Sequence, residues 1–310
     1  MPSARYLSED DVLALLPPIG EQIDLLARAL RDVASGAAHQ PPKVPLDLGA
    51  GPAFAHAMPA AIDRPLGRVA GAKWISGGGG APIGGAVLVE RPRAGGLRGI
   101  VAAAALTAAR TAAVSGAALR AIGRSGVSSL AIVGGGAQAR SHRALFAALF
   151  PEVPVVFFSR RSAGELPMLA GDRVAGSAAE ALRDAQVAVT AAAFGTAARA
   201  IDVADVAIGA TLLVVDYATT ISGSLVRSLA ARGPIAVITD SAAQFEATRA
   251  AGKLDGWPAA TAQIGDAGLA VPNGATILVN HLGVAACDLA LADALLDAAE
   301  AHGAGTLIGA

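Results

Sequence analysis

The feature that most constrains the fold is the stretch at residues 130–139, Leu-Ala-Ile-Val-Gly-Gly-Gly-Ala-Gln-Ala. A short apolar run ends there in a glycine-rich turn, and a helix-like segment, 140–150, follows it. This order is typical of the strand–turn–helix unit that binds a dinucleotide. Gly134 permits the tight turn, Gly136 lets the backbone approach a pyrophosphate, and Ala139 lets the helix pack close to the strand.

The alternative is an ordinary loop, because the chain contains 37 glycines and has other glycine clusters. The strand before the turn and the helix after it favour the binding site. On this interpretation the phosphates bind the N–H groups of the helix N-terminus, and Ala137 and Gln138 are further candidates for binding the cofactor.

Apolar runs after residue 125 predict a parallel, doubly wound sheet. Five short runs alternate with alanine-rich helical stretches: Leu130–Val133, Val155–Phe158, Val187–Ala191, Leu212–Val215 and Ala236–Thr239. Such alternation places the chain in the α/β class.

The first 115 residues lack this alternation and form a separate domain. Helices are predicted after the capping sequence Ser8-Glu9-Asp10-Asp11 and over Gly20–Val33, and strands over Arg68–Ser76 and Ala86–Arg91. The most apolar stretch, Gly99–Leu119, carries Arg110 and two threonines, and therefore predicts a buried helix rather than a membrane span. Within it the periodicity indicates a long helix over Thr107–Ile122 and leaves Leu97–Ala104 ambiguous.

Composition excludes several classes of function. A formal net charge of -1 gives no electrostatic reason to expect nucleic acid or an anionic membrane as a partner. The single cysteine, Cys287, excludes an intrachain disulfide framework, and the N-terminus lacks the pattern of a signal peptide, so we expect a cytoplasmic protein. No metal is expected, because the spacing of four histidines is not that of metal ligands: His39, His56, His142 and His302.

The residues after the second apolar run indicate which dinucleotide binds. An NAD site has a carboxylate there, for the ribose 2′-hydroxyl. This chain has Ser159, Arg160 and Arg161 instead, which suit a 2′-phosphate and favour NADP(H), with NAD(H) as the alternative. The alternative is that the two arginines are solvated loop charges.

Three basic residues are candidates for the substrate site. Lys73 lies inside a strand pattern, where a partly apolar surrounding would shift its pKa and suit it to acid–base work. Arg110 is the lone charge on a helix of small residues, which suits either the binding of an anion or a place in an interface, and Lys43 follows a proline pair. The alternative for each is an ion-paired or snorkelling structural cation.

These residues also carry a family resemblance. The chain resembles the ornithine cyclodeaminase/mu-crystallin family over nearly its whole length. The matching segments are Tyr6–Val12, Met58–Ala60, Lys73, Leu106-Thr107, Arg110–Ser115, Gly134–Ala139, Ile264–Asp266 and Leu282–Ala285 with Asp288. The resemblance implies a Rossmann-type dinucleotide-binding domain at 118–289. It also implies an α+β substrate-binding and dimerisation domain at 1–117, to which a C-terminal helix at about 290–310 returns, and a homodimer.

The same resemblance implies roles for single residues. Arg110 would hold the substrate carboxylate, with Lys43 where the family usually has an arginine, and Lys73 would lie beside the reacting centre. Met58 would line the substrate site and Thr111 the cofactor site.

Departures from the family pattern put ornithine in doubt as the substrate. Besides Lys43 in place of the arginine, Ala103-Ala104 replaces an Asp-Gly pair before the helix of Arg110. The aspartate that handles the distal amine of ornithine is replaced by Ala218, although Asp216 lies two residues earlier. His281 replaces a serine and lies either near the nicotinamide or in a packed environment.

The expected reaction is hydride transfer at the α-carbon of an amino acid or its imine, with ornithine cyclodeaminase-like deamination if Asp216 activates a side-chain amine. The alternatives are an NADPH-dependent ketimine reductase or amino-acid dehydrogenase, and a non-catalytic, crystallin-like protein that binds NADPH.

Overall fold

The computed structural model describes residues 4–49, 51, 53–65, 67–78, 81–92, 96–193 and 201–309. The chain divides into two compact units, the first formed by Met1–Ala113 with Gly283–Ala310 and the second by Val114–Leu282. None of the helices in these described ranges is long and apolar enough to cross a membrane.

The strands among the described residues are, in chain order, β1 (Ala4–Leu7), β2 (Val44–Leu46), β3 (Phe54–Arg64), β4 (Gly67–Gly78), β5 (Ala81–Arg91), β6 (Gly96–Ala102), β7 (Leu130–Val133), β8 (Val155–Phe158), β9 (Arg173–Val174), β10 (Val187–Thr190), β11 (Thr211–Val214), β12 (Ile235–Thr239), β13 (Ala262–Gln263), β14 (Thr276–Asn280) and β15 (Thr306–Ile308). The α-helices are α1 (Glu9–Leu15), α2 (Ile19–Ser35), α3 (Ala103–Ala121), α4 (Ala137–Leu149), α5 (Ala178–Leu182), α6 (Gly223–Arg232), α7 (Ala242–Ala250) and α8 (Ala285–His302).

The first unit is built on a mixed, mainly antiparallel sheet in the order β15-β1-β6-β5-β4-β3-β2. Helix α8 packs against β3, β4 and α2. Apolar residues of α2 recur at helical spacing and are fully buried, as Ile23, Leu26 and Leu30 show. Ser8 caps α1, as the sequence predicts, and its Oγ accepts a hydrogen bond of 3.2 Å from the Asp11 backbone N–H.

The expectation of a helix over Gly99–Leu119 was wrong at its start. Residues up to Ala102 form β6, which pairs with both β1 and β5, and the helix begins at Ala103. Gly99 permits the strand, because a Cβ there would lie 2.6 Å from the Arg5 carbonyl oxygen on β1. Apolar residues occupy both faces of β6, including Leu97, which is 37% exposed, so the sequence has no two-residue period that would separate this strand from the helix.

The second unit contains a parallel sheet in the order β9-β8-β7-β10-β11-β14-β12-β13, and every pairing in it is parallel. The α/β fold class with a doubly wound parallel sheet is therefore confirmed. All five predicted runs are strands, whereas β14 was not predicted and lies between β11 and β12. The strand order reverses between β7 and β10, which is where ligands bind in such sheets.

Candidate active site

A buried ionic cluster lies in the first unit, and its centre is Asp288. The Lys73 Nζ donates hydrogen bonds to Asp288 Oδ1 at 2.7 Å and to Thr107 Oγ1 at 2.6 Å. The Arg110 Nε donates to the same Asp288 oxygen at 3.0 Å. The Lys73 and Asp288 side chains are fully buried, and that of Arg110 is 8% exposed.

Three elements bring this cluster together. Lys73 comes from β4, and Thr107 and Arg110 are three residues apart on α3, so they lie on one face of that helix. Asp288 is in the first turn of α8, where the partial positive charge of the helix N-terminus stabilises a carboxylate. Glu9 stabilises the start of α3, because its carboxylate accepts hydrogen bonds from the backbone N–H groups of Ala104 and Ala105 at 2.9 Å and 2.7 Å.

Burial changes the acid–base properties of Lys73. Desolvation lowers the pKa of its ammonium group to about 8, an effect that the Asp288 carboxylate opposes and the nearby Arg110 reinforces. Two cations share one carboxylate, so the three side chains together carry a formal surplus of one positive charge. Such a cluster can bind an anion and can exchange a proton near neutral pH.

Gly283 makes room for the guanidinium of Arg110. Its φ is +85°, and a Cβ at this position would lie 3.1 Å from Arg110 Nη2 and 3.4 Å from Nη1. The terminal nitrogens of Arg110 therefore lie against the Gly283 backbone while Nε is held by Asp288. A larger residue at 283 would displace the guanidinium.

The other predicted residues of the first unit lie on neighbouring elements. Met58 is buried on β3 and pairs in register with Lys73 on β4. Lys43 is half-buried and precedes Val44, which pairs with Ala57, the residue before Met58. Thr111 is buried on α3, where its hydroxyl donates to the Thr107 carbonyl at 2.7 Å.

The glycine-rich turn of the second unit has the geometry of an anion site. Gly134 has φ +147°, and a Cβ there would lie 2.4 Å from the Ala191 carbonyl oxygen. Gly136 is the N-cap of α4, and none of the side chains that the structure describes caps this helix. The N–H groups of Ala137 and Gln138 therefore precede the first intrahelical bond, and a Cβ added at Gly136 would have no atom of the described residues within 4 Å.

Gly135 brings the end of β8 next to this turn. A Cβ at Gly135 would lie 2.4 Å from Ser159 Oγ and 3.1 Å from Arg161 Cδ. Arg160 and Arg161 are exposed, and Arg161 Nη1 lies 3.9 Å from the Glu165 carboxylate. These residues fit a nicotinamide dinucleotide, with the diphosphate on backbone amides and the adenosine ribose beside Ser159.

Asp216 is buried beyond the carboxyl end of β11, where described residues donate hydrogen bonds to both of its carboxylate oxygens. Thr190 Oγ1 donates to its Oδ1 at 3.2 Å, while the Ala192 N–H and Thr220 Oγ1 donate to Oδ2 at 3.2 Å and 2.5 Å. Burial raises the pKa of this carboxyl group, and the hydrogen bonds oppose that effect.

The two residues after Asp216 have a strained backbone. Tyr217 and Ala218 have φ values of +53° and +59°, a region that residues other than glycine rarely adopt. Strain at the carboxyl edge of a parallel sheet is typical of functional sites.

His281 follows β14 and is buried, with its Nε2 3.4 Å from Ser115 Oγ. The structure thus groups Lys73 with Arg110 in the first unit, and groups the glycine-rich turn with Ser159 and Arg161 in the second. Within the described residues, no three His, Cys, Asp or Glu side chains are placed to hold a metal ion.

Sequence reasoning assigned no role to Asp288, Thr107 or Ser115. A signal existed for Asp288, since it is a carboxylate in the first turn of a helix that is apolar on most sides. Nothing in the sequence indicates that its partners are residues 73 and 110.

A family model and a protein of related sequence both match this chain. A model of the ornithine cyclodeaminase/mu-crystallin family matches residues 7–228. The nodulation efficiency protein NfeD of Rhizobium meliloti is 33% identical over 156 residues, which are 47% of this chain and 47% of that protein, so the match spans about half the length of this relative.

Solved structures resemble the chain over almost its full length. The Thermococcus litoralis Δ1-pyrroline-2-carboxylate reductase in complex with NADH and L-proline has a TM-score of 0.81 at 19% identity, covering 98% of this chain and 100% of that one. An archaeal alanine dehydrogenase dimer with bound NAD has a TM-score of 0.81 at 21% identity, covering 99% of both chains. These likenesses concern the fold, whereas the family model covers most of the sequence, and the chain belongs to the ornithine cyclodeaminase/mu-crystallin family.

Proposed function

We propose that this chain is an oxidoreductase that uses a nicotinamide dinucleotide to transfer hydride at the α-carbon of an imino acid or amino acid. The observation that carries the proposal is the buried cluster of Lys73, Arg110 and Asp288, with its surplus positive charge. Burying an uncompensated charge is costly, so the cluster is suited to an anionic ligand. The α-carboxylate of the substrate would neutralise it.

The residues of the cluster then have separate tasks. Asp288 engages Nε of Arg110, which leaves the fork of Nη1 and Nη2 to bind the carboxylate in a bidentate manner, and Lys43 adds a second cation. When bound, the reduced nicotinamide supplies hydride. As the α-carbon gains the hydride, Lys73 holds or delivers the proton at the substrate nitrogen, and a pKa of about 8 leaves it mostly protonated at neutral pH. Met58 and Thr111 would line the substrate and cofactor positions.

The proposed cofactor is NADP(H), held at Gly134, Gly136, Ala137 and Gln138. The support for the 2′-phosphate is the position of Ser159 and Arg161 beside the glycine-rich turn. Titration of the purified protein should give tighter binding of NADPH than of NADH, and equal affinities would refute the assignment. Arg161→Ala should weaken NADPH but not NADH, whereas Arg173→Ala, which removes another exposed arginine, should change neither.

Reduction of an imine is favoured over cyclodeamination. Both Asp216 oxygens accept hydrogen bonds from Thr190, Ala192 and Thr220, which compete with a role as base for a substrate amine. The raised pKa of Asp216 supports the second candidate, deamination of ornithine with Asp216 as that base. A panel of cyclic imino acids should oxidise NADPH in the presence of the protein, while ornithine with NAD should release no ammonia; the reverse result would establish the cyclodeaminase.

The third candidate is a protein that binds NADPH without turnover. It would bind the cofactor tightly and give no activity in either assay.

Arg110→Ala should abolish substrate binding and leave cofactor affinity unchanged, because Arg110 belongs to the carboxylate site. Unchanged substrate affinity would refute the role of Arg110.

A homodimer is part of the proposal. Tyr6, Trp74 and Leu88 are 39%, 47% and 43% exposed on the sheet face opposite Lys73, an apolar surface suited to a second copy of the chain. Light scattering on the purified protein should give a dimer, and Trp74→Asp should shift it towards monomer. A monomeric wild-type protein would refute the dimer.

A further inference from the structure

Three buried side chains of the second unit connect the glycine-rich turn to the end of β14. Ser115 Oγ lies 2.8 Å from His142 Nε2 and 3.4 Å from His281 Nε2. His142 Nδ1 lies 2.8 Å from the backbone carbonyl oxygen of Gln138, in the first turn of α4. None of Ser115, His142 and His281 is more than 3% exposed.

The Gln138 carbonyl lies at one end of this series of hydrogen bonds and determines which atom donates in each of them. A carbonyl oxygen only accepts, so His142 Nδ1 must carry the hydrogen that it donates to Gln138. Burial lowers the pKa of His142 to about 4, so the ring is neutral and its Nε2 carries a lone pair. Ser115 must therefore donate its hydroxyl hydrogen to His142 Nε2.

The hydroxyl of Ser115 has one hydrogen, and it donates this hydrogen in the hydrogen bond to His142. Towards His281 it can only accept, so the hydrogen of that contact belongs to His281 Nε2. The two imidazoles are thus held as opposite tautomers, His142 with its hydrogen on Nδ1 and His281 with its hydrogen on Nε2. In its neutral form His281 then has its lone pair on Nδ1.

We propose that Ser115 and His142 are positioning residues that fix this tautomer of His281, so that Nδ1 accepts a hydrogen bond from the carboxamide N–H of the bound nicotinamide. The inference rests on the proposed function, because that function supplies the carboxamide. His281 follows β14 at the carboxyl edge of the sheet. The hydrogen bonds that join His281, Ser115, His142 and the Gln138 carbonyl, hereafter the relay, end in the first turn of α4, which is the proposed diphosphate site. A cofactor bound there would contact both ends of the relay.

Nitrogen NMR of the cofactor-free protein tests the relay without reference to catalysis. Proton–nitrogen correlation spectra distinguish a ring nitrogen that carries hydrogen from one that carries a lone pair, and the chain has only 5 histidines. His281→Gln assigns the signals of His281. We expect hydrogen on Nε2 of His281 and on Nδ1 of His142; hydrogen on Nδ1 of His281 in the wild-type protein would overturn the proposal, whether or not any variant folds.

The Ser115→Ala variant tests the positioning role. His142 should keep its tautomer, because the Gln138 carbonyl holds it, whereas His281 should become a mixture and the Kd for NADPH should rise about threefold to tenfold, as for one lost hydrogen bond. Ser141→Ala is the matched control, since Ser141 donates to the same carbonyl but lies outside the relay. An unchanged His281 tautomer in Ser115→Ala would also overturn the proposal.

Addition of NADPH separates this inference from the proposed function. A change at His281 Nδ1 on binding supports its role as the acceptor, and binding without such a change refutes it. If the wild-type protein binds neither NADPH nor NADH, the proposed function fails, while the tautomers of the cofactor-free protein still decide whether the relay exists.

Discussion

The two candidate sites of this protein use different chemical groups to bind a ligand. In the first unit, Lys73, Arg110 and Asp288 form a site of charged side chains that is almost completely buried. In the second, the turn at Gly134 and Gly136 offers backbone N–H groups, which no described side chain caps. Buried charges depend on one another, so a change at one affects both folding and binding, whereas a backbone site can lose affinity without loss of stability.

The largest expected effect is that of Asp288→Asn, which leaves Lys73 and Arg110 as buried cations without a carboxylate. Breaking a buried ion pair from one side costs about 3–5 kcal/mol in the free energy of unfolding. Urea unfolding followed by circular dichroism measures it. The matched control is Asp63→Asn, whose pair with Arg68 is exposed and should contribute little; equal losses in the two variants would show that the cluster has no special role in stability.

The pH dependence of stability should reveal Lys73. Its pKa is about 8 in the folded protein and near 10.5 when unfolded, so between these values the unfolded chain binds more protons. Stability from this group therefore rises as pH increases from 8 to 10.5, by up to about 1.4 kcal/mol per pH unit, and is lowest below pH 8.

Lys73→Met isolates that contribution, because it removes the titrating group and keeps an apolar stem of similar length. The free energy of unfolding of the wild type, relative to that of the variant, should rise as the pH increases from 8 to 10.5. A difference that is flat with pH would show that the Lys73 pKa is not lowered.

Two glycine variants should separate binding from folding in the second unit. Gly136→Ala should fold normally, because its Cβ would meet no atom within 4 Å in the described part of the chain, yet raise the Kd for the cofactor about tenfold by blocking the approach of a phosphate. Gly134→Ala should be destabilised, because its Cβ would meet the Ala191 carbonyl and its φ is +147°. Unchanged cofactor affinity in Gly136→Ala, measured by fluorescence titration, would argue against a phosphate at this turn.

The sequence predicts the glycine-rich turn of the second unit better than the ionic cluster of the first, because the turn depends on neighbouring residues. Strands such as Leu130–Val133 and the turn after them are encoded locally, since a strand buried on both faces is a continuous apolar run. Strand β14 is also apolar, but its insertion between β11 and β12 depends on contacts between distant parts of the chain.

The ionic cluster shows the limit of such reasoning. Asp288 contacts Lys73 across 215 residues of sequence, and neither residue alone indicates the other. The orientation of the Ser115 hydroxyl likewise follows only once the Gln138 carbonyl is seen beside His142. The roles given to the site residues, Lys73 and Arg110 as much as Lys43, Met58 and Asp216, stay predictions.

Transfer of deuterium is the most direct test of the central claim. Reduced NADP carrying deuterium at C4 of the nicotinamide, in each stereochemical form, would be incubated with the protein and a panel of cyclic imino acids, and the products would be analysed by mass spectrometry. We expect one of the two forms to place deuterium on the α-carbon of the amino-acid product. Cofactor bound to the protein with no deuterium transferred to any substrate, from either NADPH or NADH, would contradict the account.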